Sequence, residues 1–183
     1  LNKNNFEFHY RDKVESTMSE IKKIKSKKNI CLMADQQTKG VGRRSASWVS
    51  PKGNIYISIL LKNIINTHNH FYNTAHTANI ICDVIENICN VETKIKWPND
   101  ILIKNRKVCG ILQELIQFEK KFFLIIGVGI NTVRSPKNTS FKGISLLESS
   151  DKLIDNSNIL KNLKKKYETI FCNYKFNKKL LKK

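Results

Sequence analysis

The clearest periodicity falls between residues 71 and 89, where Phe71, Ala75, Ala78, Cys82, Ile85 and Cys89 recur at steps of four and three. That spacing puts apolar side chains on one stripe of a helix. It predicts a helix of about twenty residues packed on a sheet. A second stripe, Ile159, Leu163, Tyr167, Ile170 and Tyr174, predicts a C-terminal helix capped by Ser157. Nearer the start, Ser16 or Thr17 is suited to cap a short helix beginning at Met18-Ser19-Glu20 and ending in the Lys27-Lys28-Asn29 cluster.

Period-two patterning fills much of the rest. Ile55, Ile57 and Ile59 alternate with Tyr56 and Ser58, so Asn54 to Leu61 predicts a strand. Ile30 to Ala34 reads as a buried strand and Lys94 to Trp97 as a short one. Asp100 to Ile103 and Val108 to Leu115 are apolar runs separated by Lys104-Asn105-Arg106-Lys107, which predicts a hairpin. Phe122 to Ile130 is a further strand, reached across the polar turn at Glu119-Lys120. Residues 35–52 are polar and read as a loop. Strands joined by hairpins, with helices before, between and after, indicate an α+β fold: one mixed, mainly antiparallel sheet flanked by helices. There is no internal repeat and no linker, so residues 1–183 are expected to form a single domain.

Composition narrows the classes. Hydrophobic residues at 40% and charged residues at 26% are globular proportions and exclude wholesale disorder. No unbroken apolar run exceeds that of Phe122 to Ile126, too short for a membrane helix. The stretch Leu1-Asn2-Lys3-Asn4-Asn5 lacks the apolar core of a signal peptide. A cytoplasmic protein with no membrane association is therefore expected. The formal charge of +18 would suit a nucleic-acid binder, yet 28 of the 33 basic residues are Lys and 5 are Arg. Surfaces that read phosphate favour the Arg fork. The accompanying excess of Asn and Ile reads as drift toward A/T-rich codons, leaving solvated lysines as one reading and steering of an acidic partner as the other. Cys31, Cys82, Cys89, Cys109 and Cys172 form no CxxC pair and read as buried, reduced thiols. His68, His70 and His76 lack acidic or Cys company, so no zinc site is expected.

Three segments carry candidate chemistry. In Gln37-Thr38-Lys39-Gly40-Val41-Gly42-Arg43-Arg44-Ser45-Ala46-Ser47-Trp48, alternate glycines allow backbone N–H groups to converge on an anion, beside two permanent charges. The alternative is a basic surface loop, since no Walker A pattern is present. If the segment is extended, Arg43 and Arg44 point to opposite sides and one of them faces a phosphate. In Lys96-Trp97-Pro98-Asn99-Asp100, Pro98 stops the strand, so Asn99 and Asp100 project from its end. There a carboxylate can hold Mg²⁺, unless the segment is simply a turn. Lys107, on the returning strand, would face the Asp100 region. In Gly127-Val128-Gly129-Ile130-Asn131 the third glycine of a dinucleotide fingerprint is missing. Small residues there suggest a ligand or another backbone lying flat on the strand.

The order of these segments is more specific than any one of them. Gln37…GVGRR…Trp48, KWPND at 96–100, Lys107-Val108-Cys109-Gly110-Ile111-Leu112-Gln113-Glu114 and GVGIN at 127–131 together resemble the catalytic domain of biotin protein ligases, over roughly residues 10–175. Ser16-Thr17 is similar to that family's early Ser-Thr pair. Ile144-Ser145-Leu146 is similar to the segment before its last helix.

The resemblance implies the class II synthetase-like fold of that family and ATP-dependent attachment of biotin to a lysine of a biotin carboxyl carrier protein, through biotinyl-5′-AMP. It implies a biotin site made by Ser16, Thr17, Met18, Gln37, Val41, Gly42, Arg43, Lys107 and Gly110. Arg43, Arg44, Trp48, Asn99, Lys107 and Asn131 would bind ATP. Arg43, Lys107 and Asp100 would be catalytic, with Asp100 organising Mg²⁺. No redox cofactor is implied. The partner would be the carrier of a biotin-dependent carboxylase, an acidic domain in such families; DNA is not an expected partner, and a homodimer is left open. Met18 stands where the family has Asn, Val41 where it has the first Arg of the loop, and Ser45 where it has Gly. Neither the DNA-binding domain of some relatives nor the family's small C-terminal β-domain is expected within residues 1–183. Rival readings are a lipoate ligase, whose Arg-Arg-x-x-Gly-Gly-Gly stretch is absent, a nucleic-acid module favoured by charge alone, and a non-catalytic biotin binder.

Overall fold

The computed structural model describes residues 6–62, 70–137, 141–150 and 152–172. His68 and Tyr174, and the side chains of His70, Phe71, Ile170 and Cys172, lie outside the described residues. Among the described residues the sheet has seven strands in the order β1-β2-β3-β7-β6-β5-β4. These are β1 (Phe6–Val14), β2 (Asn29–Gln37), β3 (Ile55–Leu61), β4 (Lys94–Lys96), β5 (Asp100–Ile103), β6 (Arg106–Phe118) and β7 (Lys121–Ile130). The helices are α1 (Thr17–Glu20), α2 (His70–Cys89), α3 (Leu146–Ser150) and α4 (Asn156–Cys172). β1 and β2 run parallel and every other neighbouring pair is antiparallel, as the α+β reading expects.

Several boundaries move. β1 was not predicted at all: it is an edge strand, and Arg11-Asp12-Lys13 in its second half are charged and exposed, which erases the alternation at one end. The helix after Ser16 ends in a 3₁₀ turn at Ile21–Lys23 rather than at Lys27-Lys28-Asn29. Lys22 and Lys23 already occupy its last turn and Ile24 is extended. Ser157 does not cap α4. The cap is Asp155, whose carboxylate accepts from Ser157 N at 2.8 Å. The hairpin tip between β5 and β6 is only Lys104-Asn105, both with positive φ (49° and 59°), the two-residue turn whose twist suits a hairpin. Arg106 and Lys107 are therefore strand residues.

β3 is buried at every position because it sits mid-sheet with both faces covered. Ile55, Ile57, Ile59 and Leu61 face α2 and α4, in one core with Ile81, Ile85, Val128 and Ile159. Ala78, Cys82, Ile85 and Cys89 of the predicted stripe all bury there. The opposite face carries a smaller core under α1: Met18, Ile21, Ile30, Leu32, Leu60 and Ile125. Alternation along β7 then turns Gly127 and Gly129 toward the α1 side, opposite Ser58 and Tyr56. That face, beside α1, holds the candidate site.

Candidate active site

A cavity on the α1 side is lined by Thr17, Met18, Gln37, Val41, Gly42, Arg43, Trp48, Asn99, Lys107 and Gly110, with Ile111, Leu112 and residues 127–129 beneath. Residues distant in sequence thus meet there. Ser16, Arg44, Asp100 and Asn131, also expected at the site, do not line it. Ser16 is buried as the N-cap of α1, where its Oγ accepts from Met18 N at 3.2 Å. Arg44 is exposed and left-handed (φ 52°) within a 3₁₀ turn at Arg43–Ser45. One arginine does face the cavity, but a tight turn separates the pair, not extended alternation.

Lys107 reaches the site through a bulge. Asp100 pairs with Gly110 and Ile101 with Cys109, but Leu102 pairs with Lys107, so Val108 is an extra residue on β6. Cross-strand partners share a face. Without the extra residue Lys107 would point to the other side of the sheet; with it, Lys107 shares the face of Asp100 and Gly110. Its Nζ lies 2.8 Å from Asp100 Oδ1, an ion pair outside the angles of a directed hydrogen bond, with side chains 14% and 20% exposed. The ammonium also lies 5.1 Å from the Trp48 ring centroid and 4.7 Å from that of Phe141. Phe141 stacks on Trp48 at 6.2 Å and had no signal in the sequence beyond being aromatic.

Trp48 explains two glycines. A Cβ on Gly129 would lie 2.5 Å from its Nε1, and one on Gly110 would lie 2.9 Å from Cζ3. A ligand or another backbone was expected flat on the Gly127–Gly129 strand; what lies there is side chain, Met18 over Gly127 and the Trp48 indole over Gly129, and Gly110 makes room for the same indole. The glycine pair of the loop also acts differently from expectation. Gly40 is pressed against the loop's own return, where a Cβ would lie 2.3 Å from the Trp48 carbonyl oxygen. The Gly42 N–H is donated to Ala46 O at 2.7 Å, so these glycines fold the loop onto itself and do not leave two N–H groups free for an anion. Arg43 Nη1 donates to Asn99 Oδ1 at 3.1 Å, tying the loop to the turn before β5.

At the other end, Gln37 Oε1 accepts from Thr17 N at 2.7 Å and from Thr17 Oγ1 at 3.0 Å. Met18 fills the floor, and its sulfur would be 2.7 Å from a Cβ on Gly127. Asn131 is fully buried behind Lys107, with Nδ2 3.5 Å from the Lys107 carbonyl and Oδ1 without a hydrogen-bond partner among the described residues. Ser145, in the segment singled out before the last helix, caps α3 by accepting from Glu148 N at 3.1 Å. Cys109, two residues after Lys107, is buried, and burial pushes its thiol well above the ordinary cysteine value. Among the described residues no three His, Cys, Asp or Glu side chains gather as a metal site. A larger apolar cavity of about 370 Å³ lies on the helix-covered face between β1–β3 and α4, and none of the expected site residues lines it.

A model of the biotin/lipoate A/B protein ligase family matches residues 9–131. The chain belongs to this family. It is 32% identical over 174 residues to the bifunctional ligase/repressor BirA of Bacillus subtilis, covering 90% of this chain and 54% of that protein. It is 27% identical over 144 residues to the biotin–[acetyl-CoA-carboxylase] ligase of Mycobacterium tuberculosis, covering 76% of this chain and 53% of that one. The chain thus spans about half the length of these curated relatives. Among solved structures, the biotin protein ligase of Aquifex aeolicus in complex with biotin and ATP superposes with a TM-score of 0.75 at 28% identity, covering 89% of this chain and 71% of that one. The Leishmania major enzyme in complex with biotin gives 0.78 at 19% identity, covering 94% and 77%, a likeness of fold. The mixed sheet flanked by helices is the family's fold.

Proposed function

We propose that residues 1–183 act as one catalytic unit that activates biotin with ATP to biotinyl-5′-AMP and transfers it to a lysine of a biotin carboxyl carrier protein. The observation that carries this reading is the meeting of two cations from distant segments, Arg43 and Lys107, in the lining of one cavity with the Thr17–Gln37 amide pair. Amide groups, the apolar Met18 and Leu112, and two cations in one lining offer the chemistry that a cyclic urea carrying a carboxylate tail requires.

In the first step the carboxylate attacks the α-phosphorus of ATP and pyrophosphate leaves. An anion approaches a polyanion, so the barrier is mostly repulsion and misalignment. Lys107, fixed by Asp100 and two aromatic rings, and Arg43, held by Asn99, supply positive charge that needs no rearrangement when the transition state forms. Mg²⁺ enters with ATP. Asp100 is the carboxylate near the site, but its Oδ1 faces the Lys107 ammonium and it does not line the cavity, so it would meet Mg²⁺ only through its other oxygen. Trp48, which lines the cavity, would pack against the nucleotide, while Asn131, buried behind Lys107, would act only through that lysine's backbone; the Gly40–Ser47 loop would exclude water from the hydrolysable anhydride. In the second step a lysine amine of the carrier attacks the acyl carbon and AMP leaves. No nucleophile of the chain itself takes part. The reaction takes place in the cytoplasm and requires neither DNA nor a membrane.

The test is incubation with ATP, Mg²⁺, a biotin carboxyl carrier domain and either biotin or lipoate. A mass gain equal to biotin on one lysine is expected. Gain with lipoate alone, or with neither acid, overturns the reading.

A further inference from the structure

The wall at the head of the cavity contains a run of polar groups whose donors and acceptors permit a single arrangement. Thr17 N, 2.7 Å from the Gln37 amide, can only donate, so that end of the amide is its oxygen. Thr17 Oγ1, at 3.0 Å, must donate to the same oxygen, and Ser58 Oγ, at 2.9 Å, therefore donates to Thr17. At the other end Gln37 Nε2 can only donate, and Ser50 Oγ accepts at 2.8 Å. The proton of Ser50 goes to the Trp48 carbonyl, also at 2.8 Å. The two acceptor sites of Gln37 Oε1 are then filled and one of its two N–H groups is used. One amide N–H is left, on a side chain that lines the cavity.

We infer that Ser50 is a positioning residue for this site, acting through Gln37. Its hydroxyl holds the amide so that the remaining N–H is presented to a carbonyl of the ligand, and it fastens that amide to the main chain of Trp48. Ser50 is 4% exposed, so water does not readily replace its hydroxyl. One side chain thereby joins the head of the cavity to the indole beside Lys107. The inference rests on the biotin reading above, in which the ureido carbonyl is the acceptor.

Calorimetric titration of biotin into the full chain tests this, using Ser50→Ala, Gln37→Ala and the double variant, with melting curves to establish that each is folded. Each single change is expected to weaken binding about ten-fold, the scale of one lost buried hydrogen bond. The double variant is expected to bind no more weakly than Gln37→Ala, because Ser50 has nothing left to position. A purely structural Ser50 would give losses that multiply. If Ser50→Ala does not fold, Ser50→Cys, of similar size with a weak S–H donor, takes its place with the same expectation. Unchanged affinity in the Ser50 variant, or multiplying losses, overturns its role while leaving the biotin reading intact. Failure of the unmodified chain to bind biotin overturns the reading and the role together.

Discussion

Replacing Gly129 by alanine tests whether the sheet positions Trp48. The added Cβ would lie 2.5 Å from Trp48 Nε1, 2.7 Å from Cε2 and 3.0 Å from Cζ2. Such contacts settle near ~3.5 Å, so the ring has to retreat by roughly 1 Å. It cannot do so alone. Trp48 N donates to Gly40 O at 2.8 Å and its carbonyl receives the Ser50 hydroxyl at 2.8 Å, so the glycine-rich loop moves with it. Overpacking of this kind costs ~1–3 kcal/mol. For a chain of this length each kcal/mol lowers the melting temperature by roughly 2–4 °C. Because Lys107 Nζ is 5.1 Å from the displaced ring, biotin-dependent ATP–pyrophosphate exchange should fall further, by up to ~10²-fold for a 1 Å misplacement. Gly42→Ala is the stability comparison: its Cβ meets Ala46 O at an ordinary 3.4 Å, and its melting temperature should stay close to that of the unmodified chain. If Gly129→Ala melts and exchanges like the unmodified chain, the indole does not rest on Gly129 and the reasoning fails.

Lys107→Ala should lower the exchange rate by ~10²–10³, the scale of losing one preorganised charge, and leave Asp100 without the ammonium now 2.8 Å away; an unchanged rate would remove Lys107 from the chemistry. Burial holds the Cys31 thiol at about 12 and pushes Cys109 well above its usual 9.0. Both thiols stay protonated in the folded chain, so iodoacetamide at pH 8.5 should label them only after denaturant is added, as peptide mapping would show. The unfolded chain releases these protons first, so the stability they contribute is complete below pH ~9 and is lost as pH rises toward ~12; a melting temperature that rose over that interval would contradict this. Transfer to an acidic carrier should slow as salt increases, since 33 basic residues face 15 acidic ones, whereas salt-independent transfer would exclude steering.

Much of the fold could be read from spacing alone. The stripe ending at Cys89 and the alternation from Ile55 to Ile59 report which side chains leave water, and burial obeys the periods of helix and strand wherever one face is apolar. Where charge breaks the alternation, as along β1, that signal vanishes although backbone pairing to β2 persists. The site was legible as a set of segments, because glycine, proline and cationic side chains mark places where the chain turns or approaches something closely. Their functions within the fold were less so. Gly110 and Gly129 admit an indole, Ser16 caps a helix, and Arg44 turns outward, each decided by what the neighbouring element already occupies.

The sequence by itself determined which residues are apolar, which can bend and which carry charge, and hence the α+β class and the candidate segments. Lys107 was expected to face the Asp100 region and does; only the tertiary structure decided how it gets there. One extra residue, Val108, flips the side chain to that face, and a bulge exists only where two strands pair out of step. It likewise decided that Ser50 fixes Gln37, because hydrogen-bond direction is set by partners that share no local pattern in the chain.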